Sequence, residues 1–212
     1  AKDLQGRWAF QAVGTIPVGK TTADRISIGW VELDGKGNVV AGRAVGRIDD
    51  ALTDDMLTGN YSLTADCSLA SMRLQATVPG SRVINYLGHV ADQSHIRTMS
   101  TDAGSNLVTE FRRSTLPPGK CTNSSLSGSY VYNGRAVKLL TGGAQQVITF
   151  IGVDHFSGKG TLTSDFMYVP QIIAPRVSGQ IPVEPDCVAH WIYDDGNRYA
   201  GVLWGDGSAY FI

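Results

Sequence analysis

The feature that most constrains this chain is an internal repeat. Residues 4–8 (LQGRW) match residues 126–130 (LSGSY), and residues 59–67 match residues 179–187, which also end in Asp-Cys. A duplicated segment of this kind folds as two copies of one structural unit. We therefore predict two domains joined by a Pro- and Gly-containing linker. Their bounds are 1–114 for the first repeat, 115–125 for the linker and 126–212 for the second repeat.

Short alternating runs of β-branched and polar residues fill both repeats, separated by turn residues that include 25 glycines and 8 prolines. This pattern is typical of antiparallel strands joined by hairpins. In the first repeat it predicts eight strands: 7–13, 25–33, 38–47, 57–63, 71–78, 82–91, 95–100 and 107–112. In the second it predicts seven: 127–132, 145–152, 160–165, 176–183, 189–193, 199–204 and 208–212.

The predicted fold is all-β, with two tandem antiparallel up-and-down barrels. The second barrel is expected to lack a final strand, because Ile212 aligns near Ile96 of the first repeat. Eight strands can close around side chains or one small ligand. Only residues 44–57 have helical spacing of apolar residues, and we interpret them as a short helix or a loop.

The charge pattern excludes several partners. The chain has 18 basic and 19 acidic residues, and the basic ones are scattered, so we expect neither nucleic acid nor a membrane surface as a partner. No apolar run is long enough to cross a bilayer. The cysteines and histidines have no metal-ligand spacing, and we expect no metal and no cofactor.

The three cysteines are interpreted through the repeat. We predict that Cys121 pairs with Cys187 and that Cys67 is unpaired, because the first-repeat equivalent of Cys121, its expected partner, would lie before Ala1. A Cys67–Cys121 bridge and three free thiols are the alternatives. A disulfide indicates an oxidising compartment, so we expect a secreted or periplasmic protein.

Gly6-Arg7-Trp8, followed late in the first repeat by Arg112 or Arg113, resembles the lipocalin and wider calycin signature. In that family an arginine from the last strand packs across the indole at the closed end of the barrel. The Gly-rich pattern with a late Asp-Cys is also similar to bacterial barrel proteins shaped like allene oxide cyclases. These resemblances imply a cup for an apolar small molecule, used for transport or for cofactor-free isomerisation or cyclisation.

Residues 14–21 (GTIPVGKT) match the phosphate-loop pattern letter for letter. That motif needs a helix directly after it, so that the loop amides and the helix N-terminus hold phosphate. The residues that follow predict a strand instead. We interpret the match as an accident of loop composition, with nucleotide binding as the alternative.

The candidate site residues are polar or aromatic residues on predicted strands. His95, Arg97 and Tyr86 are the candidates for catalysis, in which they would position and polarise a substrate. A solvated strand face is the structural alternative for His95 and Arg97. We interpret Asp154 and His155 as part of a turn. The candidates for ligand binding are Trp30, His89, His190, Trp191, Tyr193 and Trp204, for which core packing is the alternative.

Three functions remain open from the sequence. The first is a small-molecule-binding barrel that holds an apolar or aromatic ligand. The second is a cofactor-free isomerase, cyclase or lyase in the same cavity. The third is an assembly module that forms a homodimer through an exposed sheet edge.

Overall fold

A computed structural model describes residues 4–49, 51–66, 69–77, 82–117, 119–139, 145–169, 172–173, 176–205 and 208–212. Most of these residues are in β-strands. The first eight strands are β1 (Gly6–Val18), β2 (Thr21–Leu33), β3 (Asn38–Ile48), β4 (Ala51–Leu63), β5 (Leu69–Ala76), β6 (Val83–Asp92), β7 (His95–Ser100) and β8 (Asn106–Arg113). The others are β9 (Ser127–Leu139), β10 (Gln145–Ser157), β11 (Thr161–Val169), β12 (Ile172–Ile173), β13 (Val177–Gln180), β14 (Val188–Tyr193), β15 (Arg198–Gly205) and β16 (Ser208–Phe211).

Strands β1 to β8 form a closed antiparallel barrel in chain order. The first and last strands close it through pairs such as Phe10 with Phe111 and Ala12 with Thr109. The predicted eight-stranded barrel is therefore confirmed. Close approach of β3 to β2 requires glycine at position 29, because a Cβ on Gly29 would clash with the carbonyl oxygen of Arg43.

The hairpins of the barrel test the predictions for residues 14–21 and 44–57. The segment that resembles a phosphate loop is a tight hairpin, because β1 continues to Val18 and β2 begins at Thr21. The interpretation of residues 44–57 as a helix or loop is wrong, since they belong to β3 and β4. Apolar spacing is ambiguous between helix and strand over so short a run, and the neighbouring strands decide it through backbone pairing.

The interior of the barrel is packed with side chains. One cluster includes Trp8, Phe10, Val31, Ile96 and Phe111, each no more than 3% exposed. The Trp8 indole donates a hydrogen bond to the Leu4 carbonyl oxygen at 2.9 Å. The Arg113 guanidinium carbon lies 5.2 Å from the centroid of the Trp8 ring, as the lipocalin resemblance implies for Arg112 or Arg113. This arrangement holds a fully buried tryptophan between the Leu4 carbonyl and the Arg113 guanidinium.

A second, curled sheet contains seven strands in the order β16-β15-β14-β13-β11-β10-β9, and β12 pairs with β11. The seven strands predicted for the second repeat are found, with shifted ends. A closed second barrel is not confirmed, and the structure shows a curled sheet in its place. The tandem-barrel arrangement stays a prediction.

The chain divides into two compact units. The first consists of Ala1–Lys120, Asp186–Val188 and Ala200–Ile212, and the second of Cys121–Pro185 and Ala189–Tyr199. The first unit thus contains the whole predicted first repeat together with two segments from the predicted second repeat. We describe each unit by itself below.

The predicted disulfide is confirmed, since Cys121 and Cys187 are bonded. Cys67 lies outside the described residues, so its predicted unpaired state stays a prediction. Within the described ranges, no helix is both long and apolar enough to span a bilayer.

Candidate functional site

The three candidates for catalysis do not share a face of the barrel. Tyr86 points into the interior of the first unit and is 5% exposed. His95 and Arg97 flank the inward-facing Ile96 on β7, so both point outward, because successive side chains on a strand alternate. One substrate therefore cannot contact all three side chains from a single side of the sheet.

His95 and Arg97 belong to an outer charge cluster centred on Glu110. The Nε2 atom of His95 lies 2.6 Å from Glu110 Oε1, and an Arg112 nitrogen lies 2.8 Å from the same oxygen. Arg97 is farther away, at 3.9 Å, and is mostly exposed. The cluster links the outer faces of β7 and β8 through ion pairs, which is a structural role.

The ligand-binding candidates of the first unit are also on the outer side of the barrel. The Trp30 indole donates to Asp186 at 3.2 Å, and the Arg7 guanidinium carbon lies 3.8 Å from the centroid of its ring. Trp204 packs against Tyr210 with ring centroids 4.5 Å apart. His89 is exposed on β6. These residues do not converge on one pocket.

The second unit presents most of its aromatic residues on one face of its sheet. Paired residues on neighbouring strands point to the same side. Tyr132 pairs with Gly152 and Gly152 with Phe166, while Phe150 pairs with Tyr168. Six half-buried rings share this surface, which we call the aromatic face: Tyr132, Phe150, Phe166, Tyr168, Tyr193 and Tyr199.

Two glycines leave space for two of these rings to lie directly against the sheet. A Cβ at Gly152 would be 2.5 Å from the ring of Tyr132, and a Cβ at Gly134 would be 2.3 Å from the ring of Phe150. Each ring therefore lies across the backbone of the neighbouring strand, where any larger residue would displace it. The glycines thus fix the rings close to the sheet.

Asp154 is buried beside the aromatic face and is 7% exposed. Its carboxyl oxygens accept hydrogen bonds from Trp191 Nε1 at 3.3 Å and from the Tyr193 hydroxyl at 3.2 and 3.3 Å. The Ser164 hydroxyl also hydrogen-bonds this carboxyl group. The Tyr132 hydroxyl lies 2.9 Å from Ser164 Oγ. Since a serine hydroxyl has one proton, Tyr132 donates to Ser164 when Ser164 donates to Asp154.

Burial controls the protonation of this network. It raises the pKa of Asp154 above the ordinary aspartate value, and the hydrogen bonds from Ser164, Tyr193 and Trp191 partly offset the rise. Burial also raises the pKa of Tyr132 to about 12 and the pKa of Tyr193 further still, the latter helped by the nearby Asp154. The phenols therefore remain hydrogen-bond donors at neutral pH.

The opposite face of the same sheet has ordinary paired charges. His155 Nδ1 lies 2.7 Å from Ser129 Oγ, and Arg176 binds both carboxyl oxygens of Asp165 at 2.6 and 2.7 Å. His190, a ligand-binding candidate, is 2.8 Å from a Glu184 oxygen. His190 is therefore separated from Trp191 and Tyr193, which are on the side of Asp154.

The sequence interpretation of Asp154 and His155 as a turn is wrong, because both lie inside β10. Strand pairing on both sides of β10 holds them extended. The signal that identifies Asp154 is the alternation along this strand. The alternate positions are Ile148, Phe150, Gly152, Asp154 and Phe156, so the acid occupies an otherwise apolar row.

Among the described residues, no group of three or more His, Cys, Asp or Glu side chains could hold a metal ion. The chain also matches no protein-family model, no curated protein and no solved structure. The calycin and allene oxide cyclase resemblances therefore stay predictions, and function is argued from the site alone.

Proposed function

We propose that this protein binds an aromatic or apolar small molecule on the aromatic face of its second unit. The observation that supports this is the half-buried state of its six rings beside one buried polar network. Clustered exposed apolar surface with a few fixed polar groups is the usual composition of a ligand site. Trp191 and Tyr193, predicted as ligand-binding residues, are the donors to Asp154 in that network.

The packing of the barrel supports this choice of site. Its described interior side chains contact one another and are almost completely buried, and eight strands enclose little more than their own side chains. The ligand-binding surface is the one where aromatic rings keep contact with solvent.

A fluorescence titration with the neutral probe N-phenylnaphthylamine tests the proposal. We expect saturable binding with enhanced emission, since the probe leaves water for an aromatic surface. Phe166→Ser should weaken binding about fivefold, because it removes one stacking ring. Met167→Ser is the matched control: Met167 is the next residue on β11 but is 46% exposed on the opposite face. Equal binding by both variants, or no binding by the wild type, contradicts the proposal.

A secreted or periplasmic location is part of this proposal. The Cys121–Cys187 disulfide supports it, since such bonds persist mainly in oxidising compartments.

The enzymatic alternative has less support from the geometry. An isomerase, cyclase or lyase that used His95, Arg97 and Tyr86 would need these three side chains on the same side of the barrel wall. Tyr86 is in the barrel interior, whereas Arg97 is on the outer face. A substrate in the barrel could contact Tyr86 alone.

Homodimerisation is a second candidate function, and the position of β9 favours it. This strand has 13 residues and ends the sheet order, and Val131, its fifth residue, is 73% exposed. A long edge strand can pair with another chain unless it is protected. We expect light scattering to give the mass of two chains, and Val131→Lys to shift the equilibrium toward monomer. A monomeric wild type at all concentrations contradicts this candidate.

A further inference from the structure

We propose that the aromatic face selects an organic cation, in particular an aromatic amine whose ammonium group pairs with the Asp154 carboxylate. This inference rests on the proposed function and names its ligand class. It follows from the charge of the site, the chemistry of its walls and the proton of its buried carboxyl group.

The first argument is the missing counter-ion. Asp154 accepts hydrogen bonds from neutral donors, namely Trp191, Tyr193 and Ser164. Within the described part of the chain, no lysine, arginine or histidine forms an ion pair with it. A buried carboxylate is costly unless a positive group accompanies it. A bound ammonium would supply that missing positive charge.

The second argument is the composition of the surrounding wall. The rings near the carboxyl group include Trp191 and the tyrosines of the aromatic face, whose electron-rich ring faces attract cations. The Tyr193 and Tyr199 rings are 5.8 Å apart in an edge-to-face arrangement, and Tyr132 lies across Gly152. Aromatic walls around one carboxylate are the chemistry by which proteins recognise amines and quaternary ammonium groups.

The third argument concerns the proton. Since burial raises the pKa of Asp154, its carboxyl group keeps its proton to a higher pH than an exposed aspartate does. An incoming ammonium favours the ionised form, so binding releases this proton to the solvent. The neutral carboxyl and the free ammonium become an ion pair, and the released proton balances the charge.

The other titratable groups that face Asp154 do not compete for this role. From β9, β10, β11, β14 and β15 these groups are Tyr130, Tyr132, His155, Tyr168, Tyr193 and Tyr199. Burial raises the pKa of Tyr132, Tyr193 and Tyr199, so these phenols keep their protons. The charge of the adjacent His155, which is on the opposite face, lowers the pKa of Asp154 without an ion pair to it.

Isothermal titration calorimetry with a matched ligand pair tests the inference. The pair is phenethylamine, which is cationic at pH 7.5, and phenethyl alcohol, a neutral molecule of nearly the same shape. We expect the amine to bind about tenfold more tightly than the alcohol, through the charge-assisted hydrogen bond and the tyrosine faces. Asp154→Asn should reduce this ratio to about one, with binding of the alcohol retained. Asp165→Asn is the control, because Asp165 pairs with Arg176 on the opposite face and should leave the ratio unchanged.

A second readout uses the wild-type protein alone. At a pH where the free carboxyl group is partly protonated, the binding enthalpy of phenethylamine on the wild type should vary with the ionisation enthalpy of the buffer, because a proton is released. The enthalpy of phenethyl alcohol binding should not vary in this way.

The outcomes separate this inference from the proposed function. Equal affinities of amine and alcohol for the wild type overturn the organic-cation inference while leaving the aromatic site intact. Failure of the amine, the alcohol and N-phenylnaphthylamine to bind overturns both. An amine preference that survives in Asp154→Asn assigns the cation to another residue and also overturns the inference.

Discussion

Two buried tryptophans, one in each unit, have different partners. Trp8 in the first unit is completely buried, and its indole donates to the backbone carbonyl of Leu4. Trp191 in the second unit is also buried, but its indole donates to the carboxyl group of Asp154. A carbonyl has one charge state, whereas a carboxyl group has two. The first tryptophan therefore stabilises the fold, and the second is connected to a group that responds to pH and ligand.

The two tryptophans also differ in how deeply their neighbours are buried. Trp8 is packed within a cluster of barrel residues and faces Arg113. Near Trp191 the ring of Phe156 is 6.1 Å away, and half-buried tyrosines follow along the sheet. Full burial fixes a side chain for packing, whereas partial exposure leaves a surface that a ligand can cover. The comparison predicts where mutations change stability and where they change binding.

The largest effect should come from the barrel. Trp8→Ala should lower the free energy of unfolding by about 4 kcal/mol, because it removes a fully buried indole and leaves a cavity. Denaturant unfolding followed by circular dichroism measures this change. Val13→Ala, on the same strand but 48% exposed, should change stability by less than about 0.5 kcal/mol. A loss below about 1 kcal/mol for Trp8→Ala contradicts a structural role for this residue.

A smaller effect is expected at the hydroxyl groups of the second unit. Tyr193→Phe should lower the free energy of unfolding by about 2 kcal/mol, because it removes a donor to a buried carboxyl group. Tyr130→Phe removes a hydroxyl that donates to the backbone carbonyl of Ser127, and its cost should be below about 1 kcal/mol. Equal losses of unfolding free energy in the two variants would contradict a stronger hydrogen bond to the buried Asp154 carboxyl group than to the Ser127 carbonyl.

The smallest effect is a pH dependence. Asp154 has a raised pKa in the folded protein, so its folded state binds the proton more tightly than the unfolded state does. This contribution to stability is complete below the unfolded pKa and is lost as pH rises through the folded pKa. The slope is at most about 1.4 kcal/mol per unit of pH for one proton.

The measurement is the difference in unfolding free energy between the wild type and Asp154→Asn across this pH range. Groups common to both proteins cancel in the difference. We expect the wild type to lose stability relative to the variant as pH rises above the ordinary aspartate pKa. A difference that is independent of pH shows that Asp154 titrates as it does in the unfolded chain.

Most of the barrel could be predicted from the sequence because its signals are local. Alternation and Gly or Asn turns fix strands such as residues 38–47 and 95–100, which the structure reproduces almost unchanged. Strand ends were less accurate: β1 extends to Val18, and β2 begins at Thr21 rather than at residue 25. These extensions depend on pairing between β1 and β2, which single-residue preferences do not include.

The site was only partly predictable. Trp191 and Tyr193 are among the ligand-binding candidates of the sequence, but so is His190, which points to the other face of the sheet. Asp154 was assigned to a turn because aspartate followed by a nearby glycine commonly forms one. The assignment of His95, Arg97 and Tyr86 to one site required facing directions in three dimensions. Alternation within one strand does not show which set points inward.

The sequence by itself predicted the eight barrel strands in chain order, because turn residues and alternation are local signals, and it favoured Cys121–Cys187 over the two alternatives for the cysteines. Only the tertiary structure decided that Tyr86 and His95 are on different sides of the barrel wall and that Asp154 is buried among Ser164, Trp191 and Tyr193. Trp191 and Tyr193 are 37 and 39 residues from Asp154 in the sequence. Their proximity results from register and burial, and it is burial that gives the Asp154 carboxyl group its raised pKa.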